Sequence, residues 1–175
     1  MKKLIVIFPG AGYGLDCPLL YYADFLYETK GFDRIHMNYQ NILSSSELSL
    51  EEKLAKVRAY ISEQVKNVDF SSYNEIIFLS KSIGSVEAGI LAEKLGVNVL
   101  QIFITPIKEA ISYCKTDSYV VIGTQDKAYQ IYKSYCDANK INALYLKDAN
   151  HSLEVEGQPY QSIDILKTVM QFIER

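Results

Sequence analysis

Ser82, Asp126 and His151 carry the side chains in this chain best suited to working as a nucleophile, an acid partner and a base. A serine hydroxyl is a poor nucleophile at neutral pH until a base takes its proton. Histidine suits that task because its ordinary pKa lies near working pH. A carboxylate behind the imidazole fixes its tautomer and stabilises the imidazolium that forms. The chain has only two histidines, so the choice of base is narrow. His36 falls inside a strand-like stretch and is expected to be a packed core residue, which leaves His151. For the carboxylate, Asp126 follows an apolar run. Asp126 also reads as an N-cap for a helix starting at Ala128. Asp148, three residues before His151, is a rival acid, and Glu154 either makes an outer contact or faces water.

Ser82 sits between two elements that would present it. Asn74 to Leu79 is a short apolar segment rich in β-formers, and Val86 to Leu95 reads as a helix with small residues on one side. A strand, a sharp turn and a helix would force the tip residue into a strained backbone and lift its hydroxyl clear of the sheet. Strand and helix pass close together in such a turn, so the flanks must be small, as Ser80 and Gly84 are. The plainer alternative is an ordinary turn with Ser82 as a helix N-cap. Lys81, beside Ser82, suggests a serine–lysine pair, but adjacent residues at a sharp turn point apart.

The remaining elements follow from periodicity. Leu4 to Phe8 is a continuous apolar run ended by Pro9-Gly10, the pattern of a buried central strand in a parallel sheet. Pro9 to Gly14 is a glycine-rich loop whose backbone N–H groups can approach a ligand. Helices are expected over Pro18 to Glu28, Ser49 to Val65, Ala128 to Ala138 and Tyr160 to Ile173. The second opens on a capping box, Ser49 with Glu52, and its stripe Leu50, Leu54, Val57, Ile61 and Val65 should pack on the sheet. Further strands are expected at Arg34 to Tyr39, Val97 to Ile104, Ser118 to Gly123 and Asn142 to Leu146. Strands alternating with helices imply an α/β fold, a three-layer α/β/α sandwich with a mostly parallel sheet of about six strands. Ligands bind beyond the carboxyl ends of such strands. The glycine-rich loop, Ser82, Thr105, Asp126 and His151 all follow strands and should gather there. Gly12, Tyr13 and Thr105 are the residues expected to line a substrate site, with Tyr21 and Tyr22 as further candidates.

Composition narrows the class. With 175 residues, about half of them apolar, the chain is read as one domain, residues 1–175, with a real core. A net charge of −3 with scattered Lys and Arg argues against nucleic acid as a partner. The apolar run after Lys2-Lys3 is too short for a signal peptide, and no stretch approaches a membrane span. The three cysteines make neither a metal pattern nor an even disulfide set, which points to a reducing cytoplasm. No metal or organic cofactor is implied, and oligomeric state is not legible.

The order Ser82, Asp126, His151 resembles the α/β-hydrolases over nearly the whole chain. The pieces that carry the resemblance are Phe8-Pro9-Gly10-Ala11-Gly12, Ser80-Lys81-Ser82-Ile83-Gly84, Ile122-Gly123-Thr124-Gln125-Asp126 and Asn150-His151-Ser152-Leu153. The family pattern Gly-x-Ser-x-Gly is met except that Ser80 replaces the first Gly. The resemblance is to small members without a lid, because only Pro106 to Asp117 fills the place where a cap is commonly inserted. It implies an oxyanion hole made by the backbone N–H of Ile83 and of Ala11. The loop departs from the family's His-Gly start, which leaves the second donor open. The activity implied is that of a serine hydrolase acting on a small ester or thioester through an acyl-enzyme, with a small acyl compound as partner. The alternative is a hydrolase-fold binding protein that has lost its activity. A dinucleotide site is disfavoured, because the third Gly of the loop falls one place early and the second strand ends without an acidic residue.

Overall fold

The computed structural model describes residues 1–174. Among them, six strands form one sheet: β1 (Lys3–Phe8), β2 (Asp33–His36), β3 (Glu75–Lys81), β4 (Leu100–Ile104), β5 (Tyr119–Gly123) and β6 (Asn142–Leu146). All neighbours pair in parallel, in the order β2-β1-β3-β4-β5-β6. The helices are α1 (Pro18–Thr29), α2 (Gln40–Ser44), α3 (Leu50–Val65), α4 (Gly84–Leu95), α5 (Tyr129–Asn139) and α6 (Pro159–Ile173). Among the described residues no helix is long and apolar enough to cross a membrane.

The period-two alternation of side chains along each strand divides the core between two faces. Ile5 and Ile7 of β1, with Ile77 and Leu79 of β3, pack under α1 (Leu20, Ala23, Tyr27) and α6 (Val169, Ile173). Leu4, Val6 and Phe8 point the other way, with Phe78, against Val57 and Ile61 of α3 and Ala88 and Leu91 of α4. Farther along that second face, Phe103, Val120 and Ile122 meet Tyr132 and Cys136 of α5. Helices therefore cover both faces, which is why β1 and β3 read as unbroken apolar runs.

Several expectations need correction. β1 lies one place from the sheet edge, and β3 and β4 hold the middle. β1 is nonetheless buried on both faces, and its sequence reports that burial rather than its position in the strand order. β2 stops at His36, and Met37 and Tyr39 turn into the second-face core instead of extending the strand. His36 is exposed at the sheet edge, where its Nε2 meets Asp24 at 2.7 Å. Leu50 is 67% exposed, so the packed stripe of α3 begins a turn later than the periodicity suggests. The capping box of Ser49 and Glu52 is present as read.

The chain leaves β1 for the β2 edge and then crosses back to β3, so the direction of winding reverses between β1 and β3. Loops diverge at such a point and leave a crevice. At that crevice α4 starts almost in contact with the β1 end. A Cβ on Gly84 would lie 2.5 Å from the Phe8 carbonyl oxygen and 2.7 Å from that of Pro9. Both obstacles are backbone, so neither can swing aside. Gly84→Ala is expected to cost about 1–3 kcal/mol of stability, measured as a lowered urea midpoint at unchanged slope.

Candidate active site

The site is built on the turn between β3 and α4. Ser82 occupies the left-handed region at φ 55°, an uncommon conformation for a residue with a Cβ. Its N–H donates to the Ile104 carbonyl of β4 at 3.2 Å, and its carbonyl accepts from Ser85 N at 3.0 Å. These bonds hold the strained tip from both sides. Ser80 is buried at the place where the family pattern has Gly, and its hydroxyl donates to the Ile102 carbonyl at 3.3 Å. A small side chain with its own acceptor therefore fits where a larger one would not. Ser82 is not a cap: Ile83 occupies the N-cap position of α4.

The Ser82 hydroxyl faces His151, Oγ to Nε2 at 2.9 Å. The other ring nitrogen of His151, Nδ1, meets Asp126 Oδ2 at 2.6 Å. An ionised carboxylate can only accept, so Nδ1 carries the proton and Nε2 is left to accept from the serine. The side chain of Asp126 is 3% exposed, whereas that of His151 is 48% exposed. The acid is thus enclosed and the ring stands at the surface. Burial pushes the Asp126 carboxyl up. The His151 hydrogen bond, the Ala128 N–H at 2.8 Å and the nearby charges of His151 and Lys81 outweigh it and hold the group below the ordinary aspartate value. Asp126 bonds Ala128 without being the cap of α5, which is Ala128 itself. Separate oxygens of the one carboxylate take the two bonds, Oδ1 that of Ala128 and Oδ2 that of His151. Asp148 lies elsewhere, in a left-handed turn at φ 60° whose N–H donates to Thr124 Oγ1.

The His151 loop is closed on itself. Asn150 Oδ1 accepts from Ser152 N at 2.8 Å and from Glu154 N at 3.1 Å, and Asn150 N donates to the Glu154 carbonyl at 2.9 Å. Across the crevice, the glycine-rich loop is tied down by Tyr39, whose hydroxyl donates to the Pro9 carbonyl at 2.8 Å, and by its own Gly10 N to Tyr13 O bond of 3.1 Å. A Cβ on Gly10 would stand 3.2 Å from that of Ser82, so the loop passes close over the serine. Among the described residues, no protein group accepts from the N–H of Ala11 or of Ile83. Ala11 and Gly12 are exposed.

The other expected residues are placed differently from one another. The ring of Tyr13 lies against the Lys81 ammonium, 5.0 Å from centroid to Nζ. Thr105 is fully buried, and its hydroxyl accepts from Lys81 Nζ. Tyr21 and Tyr22 lie on the exposed side of α1, and Tyr22 lines a groove against α6. A cleft of about 580 Å³ opens beside His151, with Pro106, Ile107, Ala128 and Ile131 among its apolar walls and exposed Lys108 and Lys127 at its edge. Ser82 lies outside it and meets it at the His151 ring. Lys81, Asn150 and Tyr39 were not singled out for these roles by sequence. Asn150 alone carried a signal, an Asn just before the candidate base that can bond the backbone following it.

No family model and no curated protein matches this chain in sequence. Solved structures do match in shape. A protein of unknown function from Agrobacterium tumefaciens, described provisionally as an α/β-hydrolase, superimposes with a TM-score of 0.71 at 16% identity, over 99% of this chain and 84% of that one. The chain has the α/β-hydrolase fold. A serine hydrolase without a lid from Xanthomonas campestris matches the hydrolase fold here with a TM-score of 0.62 at 15% identity, over 99% of this chain and 81% of its own. The Est1E protein of Butyrivibrio proteoclasticus, solved with ferulic acid bound, gives 0.63 at 11% identity, over 100% and 90%. The α/β-hydrolase fold is here in its lidless form. Between β4 and β5 the described residues hold a single short helical turn, Lys108–Tyr113, and no cap.

Because the Asp126 carboxyl is held below its unfolded value of about 3.9, it contributes stability above that pH and loses it as pH falls through the folded value. Asp126→Asn should therefore show a shallower loss of stability than the parent below about pH 4, read from urea midpoints across an acid series.

Proposed function

We propose that this protein is a serine hydrolase that cleaves a small ester or thioester through an acyl-enzyme. The observation that carries the reading is the unbroken hydrogen-bonded chain from Ser82 through His151 to Asp126, with the serine on a left-handed turn at the head of a helix. The lidless hydrolase fold supports it, as does the ferulic acid held by the similar Est1E protein, since a carboxylic acid is what ester cleavage releases.

In this reading Ser82 Oγ attacks the carbonyl carbon as its proton passes to His151 Nε2. Asp126 holds the ring in the required tautomer and balances the charge of the imidazolium. The oxygen that becomes negative sits against the N–H of Ile83 and of Ala11, both without an acceptor among the described residues. Such donors are typically worth about 3 kcal/mol each in the transition state. The Ile83 N–H also lies at the start of α4, where the helix dipole favours negative charge. The imidazolium then gives its proton to the leaving oxygen or sulfur. A water deprotonated by the same ring attacks the acyl-enzyme and releases the acid. The apolar cleft beside His151 suits a small apolar group of the substrate, and the absence of a lid suits substrates that enter without a conformational step.

Labelling with a fluorophosphonate probe, followed by mass spectrometry, should place the adduct on Ser82, and an ester panel graded by acyl length should define the cleft. Ser82→Ala is expected to abolish labelling and p-nitrophenyl acetate turnover together. Asp126→Asn should lower turnover by on the order of 10³–10⁴-fold at unchanged fold. Parent-rate hydrolysis by clean Ser82→Ala protein would overturn the nucleophile assignment.

A further inference from the structure

Lys81 is the most unusual residue of the core. Its side chain is fully buried, although a lysine is almost never so placed without partners. It follows from the turn geometry that Lys81 and Ser82 point apart, and the Lys81 side chain runs beneath the site instead of into it. Its Nζ donates to Thr105 Oγ1 at the end of β4 and to the backbone carbonyl of His151 at 2.7 Å. The third side of the ammonium faces the ring of Tyr13. One cation thus joins four strand ends: β3 through its own backbone, β4 through Thr105, β1 through Tyr13 and β6 through the His151 loop.

We propose that Lys81 is a positioning residue, its ammonium braced on Thr105 and clamping the main chain of His151 so that the imidazole stays on Ser82. The proposal rests on the serine-hydrolase reading for what the clamp accomplishes, but the clamp itself is a property of the fold. Two observations favour this role over simple packing. The bond is made to the carbonyl of the base residue itself, 70 positions away in sequence. The loop it reaches has no regular element between β6 and α6, and Leu153 within it sits at φ 63°. Ala149 and Leu153 are buried and Asp148 and Ala149 bond the loop after β5, but at His151 itself the main chain is tied through this carbonyl. Removing either acceptor or donor would free the ring to move, and a displacement of about 1 Å is enough to cost about 100-fold in rate.

The charge state of the clamp adds a measurable signature. Burial lowers the Lys81 pKa to about 8, against the opposing pull of the Asp126 and Cys17 charges. The titratable groups facing the ammonium are Asp126 after β5, His151 after β6, Tyr13 after β1 and Cys17 before α1. As pH rises through about 8 the ammonium loses its proton and the clamp weakens. The parent should therefore lose labelling rate on the alkaline side.

The test compares the full-length parent with Lys81→Met, using two readouts. The first is the imidazole N–H signal of His151 in protein carrying isotope-labelled histidine, with His36 as the internal control, since the chain has only these two. The second is the rate of fluorophosphonate labelling against pH. We expect Lys81→Met to lose or broaden the His151 signal while that of His36 persists, to label about 100-fold more slowly, and to lack the alkaline fall. A parent-like His151 signal, or a parent-like labelling rate with the alkaline fall intact, overturns the proposal. Should Lys81→Met fail to fold, Thr105→Val removes the brace while keeping the charge. It should slow labelling several-fold and broaden the same signal, and no change in either overturns the proposal. A parent that does not label at all counts against the hydrolase reading, and the His151 signal then still decides the clamp.

Discussion

The structure depends on one strained backbone position. Ser82 holds φ 55° because β3 must end, reverse and launch α4 without leaving the crevice beside β1. A left-handed residue with a Cβ costs of order 1–3 kcal/mol, and it persists only because its surroundings leave no other solution. The Ile104 carbonyl takes the Ser82 N–H, Ser85 takes its carbonyl, and Gly84 admits the backbone of Phe8 and Pro9 at distances no side chain would tolerate. The strain lifts the hydroxyl out of the sheet toward His151 and leaves the next N–H, that of Ile83, without an acceptor among the described residues. Presentation of the Ser82 hydroxyl and release of the Ile83 N–H are therefore one conformational event.

The register of the sheet converts that local event into a site. Phe8 pairs with Ser80, Lys81 with Ile104, and Gly123 with Leu146, so the carboxyl ends of β1, β3, β4, β5 and β6 finish nearly level. Every loop that follows a strand opens onto the same edge. Gly123 lets the β5 end come so close to the loop after β6 that a Cβ there would stand 2.1 Å from the Ala149 carbonyl oxygen. Through that approach Asp126 and His151, on separate loops, come within a short hydrogen bond.

Side-chain to main-chain bonds do the rest of the positioning. Tyr39 holds the glycine-rich loop by the Pro9 carbonyl, Asn150 closes the His151 loop, and Lys81 reaches under both Thr105 and His151. Apart from the Lys81–Thr105 contact, each uses a backbone carbonyl or N–H that a loop would otherwise leave to water. Loops that carry function need such supports, because they lack the repeated backbone pairing of strands and helices.

The sequence alone determined what is local. Unbroken apolar runs marked β1 and β3 because burial on both faces requires them, and the capping box of Ser49 and Glu52 marked the start of α3. The small residues around Ser82 marked a turn that only small residues fit. The positions of Ser82, Asp126 and His151, each just past a strand, followed from that same pattern. Tertiary structure decided whatever depends on which strand lies beside which. β1 proved to be one place from the edge, although its composition is that of a central strand. His36, on the edge strand, faces water instead of the core. Between Asp126 and Asp148, two similar residues on similar loops, only the close packing of the β5 and β6 ends chose the partner of the imidazole. Lys81, dismissed by its neighbourhood to Ser82, found its partners 24 and 70 residues away. Periodicity and turn chemistry are written in adjacent residues, whereas a distance between side chains on different strands is set by the crossovers that bring those strands together.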